Sequence, residues 1–146
     1  MGGAPRLFAG VVLVDRRGWI LLQERDEFPV IDPEKWGLVG GHVEDGEDVE
    51  AAAYRELFEE TGVGLAPGTL RPWDTIEVVH AAYGTDDRMH VYAAPTELTD
   101  VDIVCGEGRQ IVFVDPAAAR ALDLTASASI VVPGFLDSPL YASMTG

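Results

Sequence analysis

The segment that most constrains this chain is residues 41–63, where eight acidic side chains stand against one basic one, Arg55. Residues 48–61 contain no glycine or proline and are rich in Ala, Glu and Leu, so they predict a helix with Asp48 at its start and Gly62 as its stop. On a helix, residues three and four apart share a face, which places Glu56, Glu59 and Glu60 within about 100° of one another. Such a face repels itself unless a cation binds. Three carboxylates offer the oxygen ligands preferred by Mg²⁺ or Mn²⁺. Ala51, Tyr54, Leu57 and Phe58 are expected on the other side, anchoring the helix in the core. A lone Glu-Glu pair would read as solvated surface.

The surrounding sequence reads as strands. Residues 8–15 (FAGVVLVD) are apolar and β-branched, a turn follows at 16–18, and 19–24 (WILLQE) form a second strand. Residues 25–35 carry two prolines and many charges, as a loop does. A short strand is expected at 36–39, ending at Gly40-Gly41. Two more run over 70–80 and 88–94, joined through a turn at 84–87 (GTDD), and another covers 110–114. Asp115-Pro116 reads as N-cap and first residue of a helix over 117–122. Residues 130–136 suggest a last helix, weakened by Pro133 and Gly134. Strands around one strong central helix and a terminal helix predict an α/β layered domain with a mixed sheet.

From Gly41 the chain reads Gly, five residues, Glu47, seven residues, then Arg55-Glu56-Leu57-Phe58-Glu59-Glu60-Thr61-Gly62-Val63. This resembles the Nudix box, G-x5-E-x7-R-E-U-x-E-E-x-G-U with U bulky and aliphatic, at every defined position. Chance would produce such a match at on the order of 10⁻⁸ per starting position. Trp36-Gly37-Leu38 and Gly40-Gly41 also resemble the family, while Val39 stands where many members carry a proline, which bears on the rigidity of the entry to the loop. The resemblance implies a Nudix-type α/β/α sandwich over residues 1–146 as one domain. It implies metal-dependent hydrolysis of a diphosphate bond in a nucleoside diphosphate linked to another group: a nucleoside triphosphate, an oxidised nucleotide or a nucleotide sugar. The implied metal ligands are Glu56, Glu60 and the Gly40 carbonyl, with Glu59 also at the metal. Arg55 would orient the glutamates by charge-assisted hydrogen bonds, Glu47 would brace the loop, and Gly41 and Gly62 would let the backbone turn.

A general base is needed to take a proton from the attacking water. Glu56 and Glu59 are candidates, and so is Glu107 in Gly106-Glu107-Gly108, which resembles a Glu-Gly motif of related pyrophosphohydrolases. Arg109 interrupts the match. The flanking glycines suggest a loop free to swing toward the helix, against the plainer reading of Glu107 as a solvated turn residue. Arg25, Asp26, Phe28 and Lys35 lie where similar enzymes often build the substrate pocket. His42, His80 and His90 have no spacing of a metal triad, and Trp19, Trp36 and Trp73 read as core or rim.

A net charge of −15 argues against nucleic acid and anionic membranes as partners and makes a cation necessary for a phosphorylated small molecule. Cys105 is the single cysteine, so no internal disulfide forms, which suits a reducing compartment. No signal-peptide pattern or membrane-length apolar run is present, and a cytoplasmic enzyme is expected; a homodimer stays open. Two rivals are a nucleotide-sensing domain that does not cleave, disfavoured by the intact box, and an isomerase of allylic diphosphates, for which Cys105 is misplaced. The residues that mark certain ADP-ribose or dinucleoside-polyphosphate enzymes are not found at Val78, Val79, His80 and Ala81, so the sequence does not name the substrate.

Overall fold

The computed structural model describes residues 5–80 and 85–145. Among these, seven strands form one mixed sheet: β1 (Arg6–Val14), β2 (Ile20–Glu24), β3 (Trp36–Gly37), β4 (Val39–His42), β5 (Arg71–His80), β6 (Thr85–Pro95) and β7 (Gln110–Val114). The helices are α1 (Val49–Thr61), α2 (Pro116–Ala121), α3 (Ala126–Leu136) and α4 (Pro139–Thr145). The main path runs β3-β2-β1-β6-β5, with β4 paired to β1 and β7 to β2.

β1 organises the layers. It runs parallel to β6 along its whole length and antiparallel to β4 and β2. Its side chains alternate between two cores, as the period of two in a strand requires. Ala9, Val11 and Leu13 pack with Ala52, Ala53 and Leu57 of α1, while Val12 and Val14 pack with Ala128, Val131, Val132 and Phe135 of α3. A strand covered on both faces reads as a continuous apolar run, which is the pattern of residues 8–15. The result is the expected α/β/α sandwich.

Several local expectations need correction. The strand expected at 36–39 is two strands with different partners: β3 pairs β2, and β4 pairs β1 and continues through Gly40 and Gly41 to His42. Val39 is fully buried opposite Val11, so strand pairing rather than a proline fixes the entry to the box. Thr85, Asp86 and Asp87, assigned to a turn, belong to β6, where polar residues are held by the register with β5; Gly84 and Ala81 lie outside the described residues. The last helix begins four residues early, at Ala126, capped by Thr125, whose side chain accepts the Ala128 N–H at 3.2 Å. Pro133 and Gly134 do not break it. A Cβ on Gly134 would lie 3.2 Å from the Trp73 ring, so the glycine lets β5 pack closely there. α4 was missed, although Ser138-Pro139 repeats the cap-then-proline pattern of Asp115-Pro116.

The anchoring face of α1 also differs. Asp48 caps it, accepting the Ala51 N–H, and Gly62 at φ 75 closes it. Leu57 is buried, but Ala51 and Phe58 are exposed, and the core contacts come from Ala52, Ala53 and Leu57. At 100° per residue, Phe58 and Ala51 lie away from the Leu57–Ala53 line, whereas Glu60 lies near it. The acidic face and the buried face therefore overlap.

Candidate active site

That overlap places Glu60 in the interior, with 4% of its surface exposed. Its Oε2 accepts the Gly40 N–H at 2.9 Å. Burial, then a hydrogen bond with the Glu107 side chain, push its carboxyl up to about 9. Glu56 is also raised, chiefly by burial, although Arg55 opposes the shift. Glu59 is more exposed and turns to Arg55 Nη1 at 3.1 Å.

Two glycines allow close approach here, one to β1 and one to Glu56. Gly40 has φ 150, and a side chain on it would strike the Ala9 carbonyl of β1. A Cβ on Gly41 would come within 2.6 Å of the Glu56 carboxyl carbon. Arg55 ties the same elements together. Its Nε and Nη2 donate to Glu47 at 2.7 and 3.0 Å, its Nη1 to Glu56 at 2.9 Å, and its Nη2 also to the His42 carbonyl at 3.0 Å. The Arg55 hydrogen bonds hold the Glu47 carboxyl down at about 2.

Glu107 is not on a freely swinging loop. Gly106 N–H donates to the Glu60 carbonyl at 2.7 Å and Val104 N–H to the Thr61 carbonyl at 2.9 Å, so the loop is docked on the end of α1. Gln23 Nε2 donates to the Glu107 carbonyl at 2.9 Å, and Arg109 N–H to the Glu24 carbonyl at 2.8 Å. The glycines serve close approach instead: a Cβ on Gly106 would meet the Glu59 carbonyl, and one on Gly108, at φ 83, the Glu24 carbonyl. Gln23 was overlooked, yet it is a buried polar residue inside an apolar strand, which is a readable signal. Arg109, treated as a flaw in the motif, holds Glu27 and Glu34 at 2.9 Å each.

These acids form one wall of a cleft of about 880 Å³, within the roughly 300–1,000 Å³ of small-molecule sites. Arg25, Asp26 and Phe28 line it; Lys35 does not, and approaches Asp32 and Asp123 instead. His42 lines it with its ring against Phe8. His90 lies apart, near Thr75, and the His80 side chain is outside the described residues. Cys105 is exposed, bonded to the Glu107 and Gly108 carbonyls, and is not part of the cleft lining. Trp36 and Trp73 pack on the α3 core and Trp19 on the α1 core.

Among the described residues no three acidic, histidine or cysteine side chains form a ready-made cation cage. Mg²⁺ does not require one, since it commonly takes one or two carboxylates and completes its shell with water and substrate phosphate. Glu56, Glu60 and the Gly40 carbonyl, the ligands that the resemblance implies, would be an all-oxygen set of that kind. No ion pair with a basic side chain is found for Glu60 among the described residues, and a buried carboxylate in that state suits a bound cation.

A family model for the NUDIX domain matches residues 4–135. The chain belongs to the NUDIX domain family. Over 82 residues it is 34% identical to nucleoside triphosphatase NudI of Salmonella agona (strain SL483), a match covering 54% of this chain and 58% of that protein. The chain thus spans little more than half the length of this curated relative. Among solved structures, a MutT NUDIX hydrolase from Burkholderia pseudomallei superposes with a TM-score of 0.74 at 28% identity, covering 90% of this chain and 98% of that one. A bifunctional NMN adenylyltransferase/ADP ribose pyrophosphatase from Francisella tularensis, complexed with AMP and Mn ion, superposes with a TM-score of 0.75 at 17% identity, covering 92% of this chain and 42% of that one.

Proposed function

We propose that this NUDIX chain hydrolyses a diphosphate bond of a nucleoside triphosphate with the help of Mg²⁺ or Mn²⁺, as one catalytic unit in the cytoplasm. The observation that carries this reading is Glu60: a buried carboxylate held between the Gly40 N–H and Glu107, with Glu56 on the same helix face. The likeness to a nucleoside triphosphatase supports the substrate class. The charge of −15 supports a small molecule rather than nucleic acid or an anionic membrane as partner. No described helix is long and apolar enough to cross a membrane.

Glu56, Glu60 and the Gly40 carbonyl would hold the metal, with Glu59 beside them. When bound, such an ion neutralises the charge of the diphosphate and lowers the pKa of a coordinated water. Arg55 keeps Glu56 and Glu59 in position from one side and ties them to the 42–47 turn through Glu47. Glu107 takes the proton of the attacking water, because its side chain stands at Glu60 and its backbone is pinned by Gln23. Water then forms a bond to phosphorus as the bridging oxygen leaves.

The test is product analysis over ribo- and deoxyribonucleoside triphosphates, oxidised nucleotides and nucleotide sugars, with and without Mg²⁺ or Mn²⁺. Cleavage of a triphosphate that stops on addition of chelator is expected. Turnover that persists in chelator would overturn the metal role, and failure to cleave any triphosphate would overturn the substrate class.

A further inference from the structure

The cleft wall facing the acids is the loop of residues 25–35, which has no regular secondary structure but is held firmly. Its neck is closed by Arg25 N–H to the Lys35 carbonyl at 2.9 Å and Glu34 N–H to the Asp26 carbonyl at 2.8 Å. The Arg25 side chain donates to the carbonyls of Asp32 and Ile31 at 3.1 and 3.0 Å. Asp32 Oδ2 accepts the Ala126 N–H at the start of α3 at 2.8 Å, and Arg109 grips Glu27 and Glu34 from outside. Asp32 and Glu34 are left-handed at φ 50 and 63 although neither is glycine, a conformation that persists only where the surroundings enforce it.

This framework presents an apolar tip. Phe28 is 80% exposed and Val30 77%. The Phe28 N–H is fixed by Asp26 Oδ1 at 3.1 Å, and Pro29 stiffens the next bond. Other large apolar side chains are exposed among the described residues, such as Phe58, Val79 and Val101, but of these exposed residues only Phe28 and Val30 line the cleft. Phe28, Pro29 and Val30 carry no charge, and the Arg25 guanidinium, which stays positive, spends its Nε and Nη2 donors on loop carbonyls. The polyanionic part of a substrate belongs at Glu56 and Glu60 with their cation. What suits the tip is the flat, uncharged part.

We propose that Phe28, flanked by Val30, is the binding contact for the base of the substrate. The base lies against the Phe28 ring at the mouth of the cleft while the phosphates run inward to the acidic wall. This rests on the nucleoside triphosphate reading above. A phenyl face stacks on any base and reads no hydrogen-bonding edge, so purines and pyrimidines are both accepted, the larger purine more tightly.

The experiment compares GTP, CTP and inorganic tripolyphosphate as probes with Mg²⁺. Phe28→Ala is expected to raise KM for GTP by roughly ten- to a hundredfold, the range of a lost aromatic–base stack, with kcat within about threefold. KM or Ki for tripolyphosphate stays unchanged, and Phe28→Trp restores KM and gains an indole signal, beyond that of the wild-type tryptophans, that GTP quenches and tripolyphosphate does not. A GTP KM within twofold of wild type in Phe28→Ala overturns the inference, as does an equal rise for tripolyphosphate. Hydrolysis of GTP with an unaffected Phe28→Ala keeps the hydrolase reading and sinks the base contact. Quenching by GTP in a chain that cleaves no triphosphate does the reverse.

Discussion

The two walls of the cleft are built by opposite means. The α1 wall holds its acids on a helix whose buried face they share, so Glu60 is fixed by packing, by Gly40 and by Glu107. The facing loop, 25–35, buries little and is fixed by hydrogen bonds to its own carbonyls and by the Arg109 ion pairs. Periodic packing gives a position that tolerates little change, which suits groups that must meet a reacting phosphate. A hydrogen-bonded loop can change its tip without disturbing the core, which suits recognition. On the proposed roles, chemistry and recognition thus occupy different kinds of structure.

The contrast fails if kcat does not follow the α1 wall. Glu60→Gln is expected to lower kcat by about 10² to 10⁴ at saturating Mg²⁺. Its melting temperature in chelator should not fall, because an amide resembles the protonated carboxyl that this site favours. A kcat within threefold of wild type would remove Glu60 from the chemistry.

Glu107→Gln should lower kcat by about 10² with KM little changed. The loop should stay docked, because its contacts to Gln23 and the end of α1 are made by backbone atoms. Near-wild-type turnover would return the role of base to Glu56 or Glu59.

The pH dependence should belong to the α1 wall alone. The Glu60 carboxyl sits at about 9 in the folded, metal-free chain, above its ordinary 4.5. The native state therefore binds this proton more tightly than the unfolded state. The stability it contributes is full below about 4.5 and is lost as pH rises toward about 9, at no more than about 1.4 kcal/mol per pH unit. Chemical denaturation in chelator across this window should show the decline, and Glu60→Gln should flatten it. An unchanged slope in the variant would place the titration elsewhere.

The smallest effect concerns the loop wall. Arg109→Gln releases Glu27 and Glu34, and KM should rise about three- to tenfold with kcat preserved, since exposed pairs contribute only ~0–1 kcal/mol each. High salt should bring the wild-type KM toward that of the variant. A fall in kcat with KM unchanged would make Arg109 a support for Glu107 rather than for the loop.

The same contrast explains what could be read from the sequence. α1 and its caps follow from the run without glycine or proline between Asp48 and Gly62, and the layered sandwich follows from the apolar run of β1. Glu56, Glu59 and Glu60 were nameable because helical spacing groups them, and Glu107 because its motif resembles one of related enzymes. The placement of Phe58 and Ala51 in the core was wrong because the acidic and buried arcs of α1 were assumed to be separate. Loop 25–35 was legible only as a loop: nothing in its residue order signals left-handed Asp32 and Glu34, or a clamp from Arg109 some 75 residues away from Glu34. The docking of the Glu107 loop was hidden for the same reason, because the groups that hold it are carbonyls at the end of α1.

The parallel pairing of β1 with β6 has a consequence for how the chain acquires its site. Arg6 and Asp87, partners in that ladder, are 81 residues apart. β2 must likewise wait for β7 at residues 110–114. Contacts between such distant segments require large loops to close before any reward is gained, so assembly of the sheet is slow compared with formation of α1. During synthesis the acidic helix emerges well before the strand that carries the Glu107 loop to it. A nascent chain shorter than about residue 114 has the helix but neither β7 nor the last layer of the sandwich. On the function proposed here, competence to cleave would therefore be gained late, and an abandoned translation product would carry the box without the activity.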